Sequence, residues 1–136
     1  MDSELLAQVT YRINKAKDTL SEAQAYADDV PLQDTVQAVY YAIQFAAQGL
    51  LQARRVHATR HDEVSDLFFK EFVETGLVGR ELGFFYRQML ERQQEIENGP
   101  SPVFDKGLVG RWVEQAERFV SEIERVAGAI MEGTKT

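Results

Sequence analysis

The sequence VQAVYYAIQFAAQGLL, residues 36–51, carries the pattern that decides the fold. Its larger apolar residues recur three and four positions apart, which is the spacing of an amphipathic helix. These positions are Val36, Val39, Tyr40, Ile43, Ala47, Leu50 and Leu51. Small residues stand among them, namely Ala42, Ala46, Ala47 and Gly49, and small side chains let a neighbouring helix backbone approach closely. Because apolar residues occupy more than one face, we predict a helix that is buried at the centre of a helical bundle.

The chain before this stretch also shows helical spacing. We expect a first helix that is capped by Asp2 or Ser3 and that ends within residues 28–31, because Pro31 forbids its continuation. Its apolar positions are Leu6, Val9, Ile13, Ala16, Leu20, Ala23 and Ala27. The second helix, which contains the quoted stretch, is expected to begin near Leu32.

Further helices are predicted after residue 58. The third is expected to be capped by Thr59 or Asp62 and to stop at Gly76 in the left-handed conformation that favours glycine. The fourth is expected to begin near Arg80, and the break NGPSP, residues 98–102, separates it from the last helix. The predicted inward residues are Val64, Leu67, Phe68, Phe72, Leu82, Phe85, Met89, Leu108, Trp112, Ala116, Phe119, Ile123, Val126 and Ile130. Strand-like alternation is absent, so the sequence predicts an all-α fold, an antiparallel bundle of four to five helices.

Length, charge and cysteine content narrow the class of protein. The 136 residues fit one domain, which we expect to span residues 1–132 and to leave 133–136 as a frayed tail. The sequence has no cysteine, which excludes disulfides, thiolate zinc sites and thiol catalysis. Its acidic start does not resemble a signal peptide, and no apolar run approaches the ~20 residues of a membrane span, so we expect a cytoplasmic protein. The formal net charge of −7 argues against broad, non-specific nucleic-acid binding.

One short stretch is locally basic. It contains Arg54, Arg55, His57, Arg60 and His61. Guanidinium groups match phosphate oxygens, and histidine can move a proton near neutral pH, so these residues are candidates for phosphate or nucleotide binding. The alternative interpretation is a solvated loop whose arginines are favoured by the negative end of the preceding helix dipole.

Neither a metal nor a cofactor is expected. Asp62, Glu63 and Asp66 lie near the histidines in sequence, but their spacing lacks the paired pattern of a metal site. Helix capping and solvated charge account for these acids. Arg92 belongs to a charged helical stripe, which is typical of surface ion pairs and which could alternatively hold a phosphate or a partner's carboxylate.

Four stretches, taken in order, match the pattern of one known family. Residues 38–51, AVYYAIQFAAQGLL, look like a tyrosine-pair helix with an alanine-rich continuation, and residues 61–64, HDEV, place a histidine at the start of the third helix. Residues 69–77, FKEFVETGL, are similar to a characteristic helix end, and residues 90–94, LERQQ, to the leucine-and-arginine run that follows. Together they resemble the HEPN domain family, particularly its small single-domain prokaryotic branch, over about residues 5–130.

This resemblance implies a bundle of four or five helices that pairs as a homodimer. Many relatives partner a minimal nucleotidyltransferase in two-gene toxin–antitoxin systems, and several are metal-independent RNases. Those RNases carry an arginine, four to six residues and then a histidine, and their site is assembled across the dimer. Histidine then shuttles a proton while arginine stabilises charge on the phosphate. The matched positions here are His61 and Arg92, whereas the histidine expected after Arg92 is replaced by Glu97, Asn98 or Gly99.

Three functions remain open from the sequence. The leading hypothesis is a homodimeric interaction module that binds a protein partner of the nucleotidyltransferase type. The first alternative is a metal-independent RNase that uses His61 with Arg55, Arg60 or Arg92. The second alternative is a nucleotide-binding module without catalysis, built on the basic stretch. None of the three involves a membrane.

Overall fold

The computed structural model describes residues 3–26, 30–100 and 102–133, and these ranges form five α-helices without a strand. The helices are α1 (Ser3–Tyr26), α2 (Leu32–Ala53), α3 (His61–Phe68), α4 (Arg80–Asn98) and α5 (Lys106–Gly133), and a π-helical turn, Phe69–Val73, follows α3 directly. The predicted all-α bundle and the predicted starts near Leu32 and Arg80 are confirmed. The cap assigned to Asp2, the core position Ala27 and the helix end at residues 28–29 lie outside the described residues.

Helix α2 lies at the centre of the bundle, as its small and apolar residues predicted. It packs against α1, α3, α4 and α5, and fifteen of its 22 residues are buried. Between Gln37 and Gln52 the remaining partly exposed positions form a narrow stripe that includes Tyr41 and Phe45. A Cβ atom on Gly49 would lie 3.1 Å from the Cβ of Arg12, so α1 approaches α2 as closely as glycine allows.

Helices α1 and α5 run antiparallel, as two cross-helix contacts show. Lys17 forms an ion pair with Glu124 at 2.6 Å, and the Gln24 side-chain amide donates to the Glu117 carboxylate at 2.5 Å. Seven residues forward along α1 therefore correspond to seven residues back along α5. Most predicted core positions are buried, but Leu6 is exposed and Leu5 takes the inward position.

The π-helical turn and α4 fit together through a glycine. A π turn places its hydrogen bond one residue further along than an α-helix, and here the Glu74 N–H donates to the Phe69 carbonyl at 2.8 Å. A Cβ atom on Gly83 of α4 would stand 2.9 Å from both the Phe69 ring and a Val73 methyl group. Gly76 has the predicted left-handed conformation, with a φ of 82°, but the helical turns end at Val73, three residues before it.

Neither of the two predicted caps of α3 is right. The helix begins at His61, and the flanking residue is Arg60, whose backbone is extended and whose side chain makes no capping hydrogen bond. Neither Thr59 nor Asp62 caps the helix: the Thr59 N–H donates to the Glu63 carboxylate at 3.4 Å, and Asp62 pairs with Arg60 at 3.6 Å. The flanking residue therefore lies between the two predicted caps, and Asp62 falls inside the first turn of the helix.

None of the described helices combines the length and the apolar character that crossing a bilayer requires.

Gly83→Ala should destabilise the protein by about 1–2 kcal/mol. The new methyl group overpacks the contact with Phe69 and Val73, and the cost of this overpacking exceeds the gain from the better helix propensity of alanine. The free energy of unfolding in urea measures this change. Gly128→Ala is the matched control, since a Cβ atom there meets nothing within 4 Å, and it should instead stabilise by about 0.5–1 kcal/mol. Equal shifts in the two variants would contradict the close packing at Gly83.

Candidate functional site

His61 stands against two tyrosines of α2. Its ring centroid lies 5.4 Å from that of Tyr40 and 5.9 Å from that of Tyr41, and the two tyrosine rings lie 5.3 Å apart in an edge-to-face arrangement. The imidazole is partly buried, because the first turn of α3 packs on α2 at this level. The structure thus places His61, a predicted site residue from the basic stretch, beside two phenol groups.

Helix α4 adds an amide and a carboxylate to the same junction. Gln93 is only 1% exposed, and its side-chain amide donates to the Glu97 carboxylate at 2.9 Å and to the Tyr41 hydroxyl at 3.5 Å. Tyr86 contributes a further phenol, whose ring centroid lies 6.5 Å from that of Tyr40. Polar groups of α2, α3 and α4 therefore meet where these three helices join.

The tyrosines of this junction hold their protons strongly. Burial raises the pKa of Tyr40 above its ordinary value, and the neighbouring Tyr41 and the negative charge of Glu97 raise it further. The pKa of Tyr41 is raised by burial and by Glu97, and that of Tyr86 is raised mainly by burial. At physiological pH the three phenols are neutral, so they can donate or accept hydrogen bonds but do not serve as anionic nucleophiles.

Several buried polar atoms at this junction have no hydrogen-bond partner in the described part of the chain. They are the hydroxyl oxygens of Tyr40 and Tyr86 and the side-chain carbonyl oxygens of Gln44 and Gln93. Native cores pair almost all such atoms, and leaving one unpaired costs about 1–3 kcal/mol. Two of these residues belong to α2 and two to α4, which packs on α2, and such a group is not what packing alone would select. We call these four residues the polar layer and take them, with His61, as the candidate site.

Arg92 lies next to Gln93 on α4 but faces carboxylates. Its guanidinium contacts Glu95 at 2.8 Å and Glu91 at 3.6 Å, its side chain is 26% exposed, and its buried Nε has no partner within the described ranges. Two acidic neighbours surround the positive charge, which disfavours the binding of a phosphate at the same place.

With this geometry established, comparison with known proteins identifies the family. The sequence model of the HEPN domain matches residues 9–126. The chain belongs to the HEPN family. It is also similar to a UPF0332 protein of Thermotoga maritima, with 31% identity over 118 residues that cover 87% of this chain and 89% of the relative.

In this HEPN domain the basic stretch does not gather around the tyrosines. The Arg54 guanidinium lies 5.7 Å from the Phe72 ring centroid, and Arg60 pairs with Asp62. Arg55 adopts φ of 61° and lines two depressions: a shallow groove beside the end of α5, which it shares with Arg54, and a recess beside the start of α1, which it shares with His57. Of the five basic residues, His61 is the one whose ring contacts the tyrosines.

Gln93 and Glu97, like Gln44 and Tyr86, were not predicted from the sequence as residues of the candidate site. Gln93 and Glu97 occupy α4 one turn apart, and Gln93 stands one turn after Met89, on the buried face of the helix. The sequence did contain one signal for a buried polar pair on α4: a glutamine at a core position that is followed four residues later by a glutamate. Among the described residues, no group of three histidine, aspartate or glutamate side chains is arranged to hold a metal ion.

Tyr40→Phe should change the pH dependence of stability. A group whose pKa is raised on folding contributes stability below its unfolded pKa, near 10 for tyrosine, and loses that contribution as pH rises further. Urea unfolding of wild type should therefore weaken more steeply above pH 10 than unfolding of Tyr40→Phe. At pH 7 the variant should match wild type or gain up to about 1 kcal/mol, because it removes an unpaired buried hydroxyl.

Tyr11→Phe, at an exposed tyrosine of α1, controls for the loss of a phenol as such. If Tyr40→Phe costs more than about 2 kcal/mol at pH 7, the hydroxyl has a stabilising partner and is not unpaired.

Proposed function

We propose that this HEPN domain is a homodimeric interaction module of the cytoplasm, with residues 1–132 as its single domain, and that its protein partner is of the nucleotidyltransferase type. The observation that carries the proposal is an exposed aromatic on the outer side of α4. Phe84 is 59% exposed, although aromatic side chains of this size are normally buried. A second copy of the chain seated on α4 would cover it.

The surroundings of Phe84 have the composition of an interface core. Its ring lies 6.2 Å from that of Phe69, and the Arg87 guanidinium lies 3.4 Å from the centroid of the Phe69 ring. Leu77, in the connection that leads into α4, is 41% exposed. Aromatic residues and arginine are enriched at interfaces and supply most binding hot spots, which supports contact with a partner at this place.

Charge along the outer side of α4 supports a second copy as the occupant. Arg80, Phe84, Arg87, Glu91 and Glu95 recur at spacings of three and four and form one exposed stripe, which we call the α4 face. Its first half is basic and its second half is acidic, although Arg92 offsets part of the acidic charge. Two copies related by a two-fold axis would pair the basic half of one α4 face with the acidic half of the other.

A metal-independent RNase is the second candidate, favoured by the position of His61 beside Tyr41 and the Glu97-bound Gln93. It ranks lower because phosphate cleavage needs a cationic clamp together with the proton shuttle. Arg92 makes no hydrogen bond to His61 in the described part of the chain and is already surrounded by two carboxylates. The net charge of −7 also repels RNA from any site that is not strongly basic.

Phe84→Glu should weaken the homodimer about 30-fold or more, because truncating or charging a central aromatic hot spot costs at least ~2 kcal/mol. Sedimentation velocity over a concentration series measures the dissociation constant. Tyr11→Glu is the matched control: it charges an aromatic that is also 59% exposed but lies on α1, and it should leave the dimer intact. A monomeric wild type at micromolar concentration, or equal effects of the two variants, would refute the α4 face as the dimer contact.

The partner is tested by purifying the native complex and identifying its second chain by mass spectrometry. The expected second chain is a nucleotidyltransferase-type protein. A stable complex with a protein of another class would contradict the proposed partner, while the dimer measurement would remain independent of that result.

Purified wild-type protein should leave structured and unstructured RNA intact, as should His61→Ala. Gel analysis of end-labelled RNA checks this expectation. Cleavage by wild type that is lost in His61→Ala would establish the RNase and overturn the preference for an interaction role. Cleavage that persists in both proteins would exclude His61 as the proton shuttle.

A further inference from the structure

Two cations lie along the contact between α1 and α2. Arg12 of α1 lies opposite Gln48 of α2, and its guanidinium donates to the Gln48 side-chain carbonyl at 3.5 Å. Three residues further along α1, the Lys15 ammonium lies 4.6 Å from the centroid of the Phe45 ring, which stands three residues back along α2. The two helices therefore run antiparallel here, and both cations follow one line of contact.

Three aromatic rings accompany the two cations. Tyr11 stands one turn before Lys15 on α1 and is 59% exposed, and its ring centroid lies 5.8 Å from the Lys15 ammonium. Tyr41 stands one turn before Phe45 on α2, their ring centroids are 6.3 Å apart, and both side chains are partly exposed. Residues one turn apart share a face of a helix, so these side chains form one surface. We call Tyr11, Arg12, Lys15, Tyr41 and Phe45 the α1–α2 face.

No ion pair neutralises the two cations of the α1–α2 face. Within the described ranges neither Arg12 nor Lys15 pairs with a carboxylate, and Asp18, the next acid along α1, is no exception. The Arg12 guanidinium lies 6.0 Å from the Tyr11 ring centroid, and a cation–π contact of this kind leaves the positive charge in place. The face therefore carries two positive charges on a chain whose formal net charge is −7.

We propose that the α1–α2 face docks an acidic segment of the protein partner, one in which carboxylates stand beside an aromatic or other large apolar side chain. The proposal rests on the proposed function, because it takes the protein partner as the occupant. The carboxylates pair with Arg12 and Lys15, and the apolar side chain lies on the rings of Tyr11 and Phe45. No residue of α4 belongs to this surface, so it is separate from the α4 face.

Charge complementarity selects a protein segment rather than RNA as the occupant. Two cations neutralise about two phosphates, which is too few to hold RNA at physiological salt against the net charge of −7. An RNA strand would also bring one phosphate with every further nucleotide and place those charges against an acidic protein. A short acidic segment of a protein brings only as many charges as the face pairs, and complementary charge of this kind fixes which partner binds and in which register.

Carbodiimide cross-linking of the purified native complex tests the contact. The reagent joins a lysine amine to a carboxylate without a spacer, so only groups in contact react. Mass spectrometry of the digest should show Lys15 joined to an aspartate or glutamate of the partner chain. Lys17 is the internal control, because it pairs with Glu124 of its own chain at 2.6 Å and should be joined to it.

Two results of the cross-linking overturn the proposal. A digest that shows the link between Lys17 and Glu124 but no link from Lys15 to the partner chain leaves the α1–α2 face unoccupied. A link from Lys15 to a second copy of this chain assigns the face to a contact between copies. If no second chain copurifies at all, the proposed function fails, and this proposal fails with it.

Lys15→Glu should weaken the binding of the partner at least about tenfold, because it replaces attraction by repulsion. Calorimetry with separately purified chains measures the dissociation constant. Lys17→Glu is the matched control: it makes the same change two positions further along α1, on the side that faces α5, and it should alter the affinity less than about twofold. Both variants should remain dimeric in sedimentation velocity, since neither residue belongs to the α4 face.

An unchanged affinity in Lys15→Glu, or equal effects of the two lysine variants, refutes the α1–α2 face while the complex itself leaves the proposed function standing. Labelled RNA that binds wild type and is lost in Lys15→Glu makes the occupant a nucleic acid and also overturns the proposal.

Tyr11→Ala tests the aromatic part of the surface. Removal of the exposed ring should weaken the binding of the partner at least about fivefold, whereas Tyr11→Phe, which keeps the ring, should stay within about twofold of wild type. Phe84→Glu should show the opposite pattern, with loss of the homodimer and partner binding per chain that is retained. Partner binding that is lost in Phe84→Glu and retained in Tyr11→Ala places the partner on the α4 face and refutes this surface.

Discussion

The burial of α2 among four other helices is the constraint on which the rest of the structure depends. A helix surrounded in this way has to admit its neighbours closely on one side and to supply bulk on the others. Gly49 meets the first requirement, since even a methyl group there would press against Arg12 and Ile13 of α1. The larger residues on the remaining sides, including Tyr40, fill the space toward the other helices.

This arrangement also creates the candidate site, because α2 directs polar side chains into an interface that is otherwise apolar. Tyr40 and Gln44 stand one turn apart on α2, and Tyr86 and Gln93 come from α4, each with a buried atom that has no partner among the described residues. Apolar residues of similar volume would avoid that cost. The polar layer therefore marks a place where stability is reduced, and His61 at the start of α3 lies at its edge.

The fold was largely predictable because apolar spacing reports which face of a helix is buried. The spacing was sufficient for a bundle of four to five helices and for the central position of α2, and the glycine at position 76 indicated the left-handed residue there. It could not reveal the π-helical turn, which depends on how Phe69 and Val73 meet Gly83 across the bundle. The candidate site was less predictable: of the basic stretch, His61 is the residue whose ring contacts Tyr40 and Tyr41, because it begins the helix that packs on α2. Local composition contains no signal that distinguishes His61 from its basic neighbours in this way.

Helix α4 joins the two surfaces that bear on function. Its inner side carries Gln93, which holds the Glu97 carboxylate and reaches Tyr41, and its outer side carries Phe84 within the α4 face. Arg92 lies between them and pairs with Glu91 and Glu95 of the α4 face. In the proposed dimer, a cation of the partner that engages those two carboxylates would compete with the Arg92 guanidinium for them, so pairing through the α4 face and the charge available beside Gln93 would be physically coupled. This coupling needs no movement of the helix, because an exchange of ion-pair partners at one arginine is sufficient.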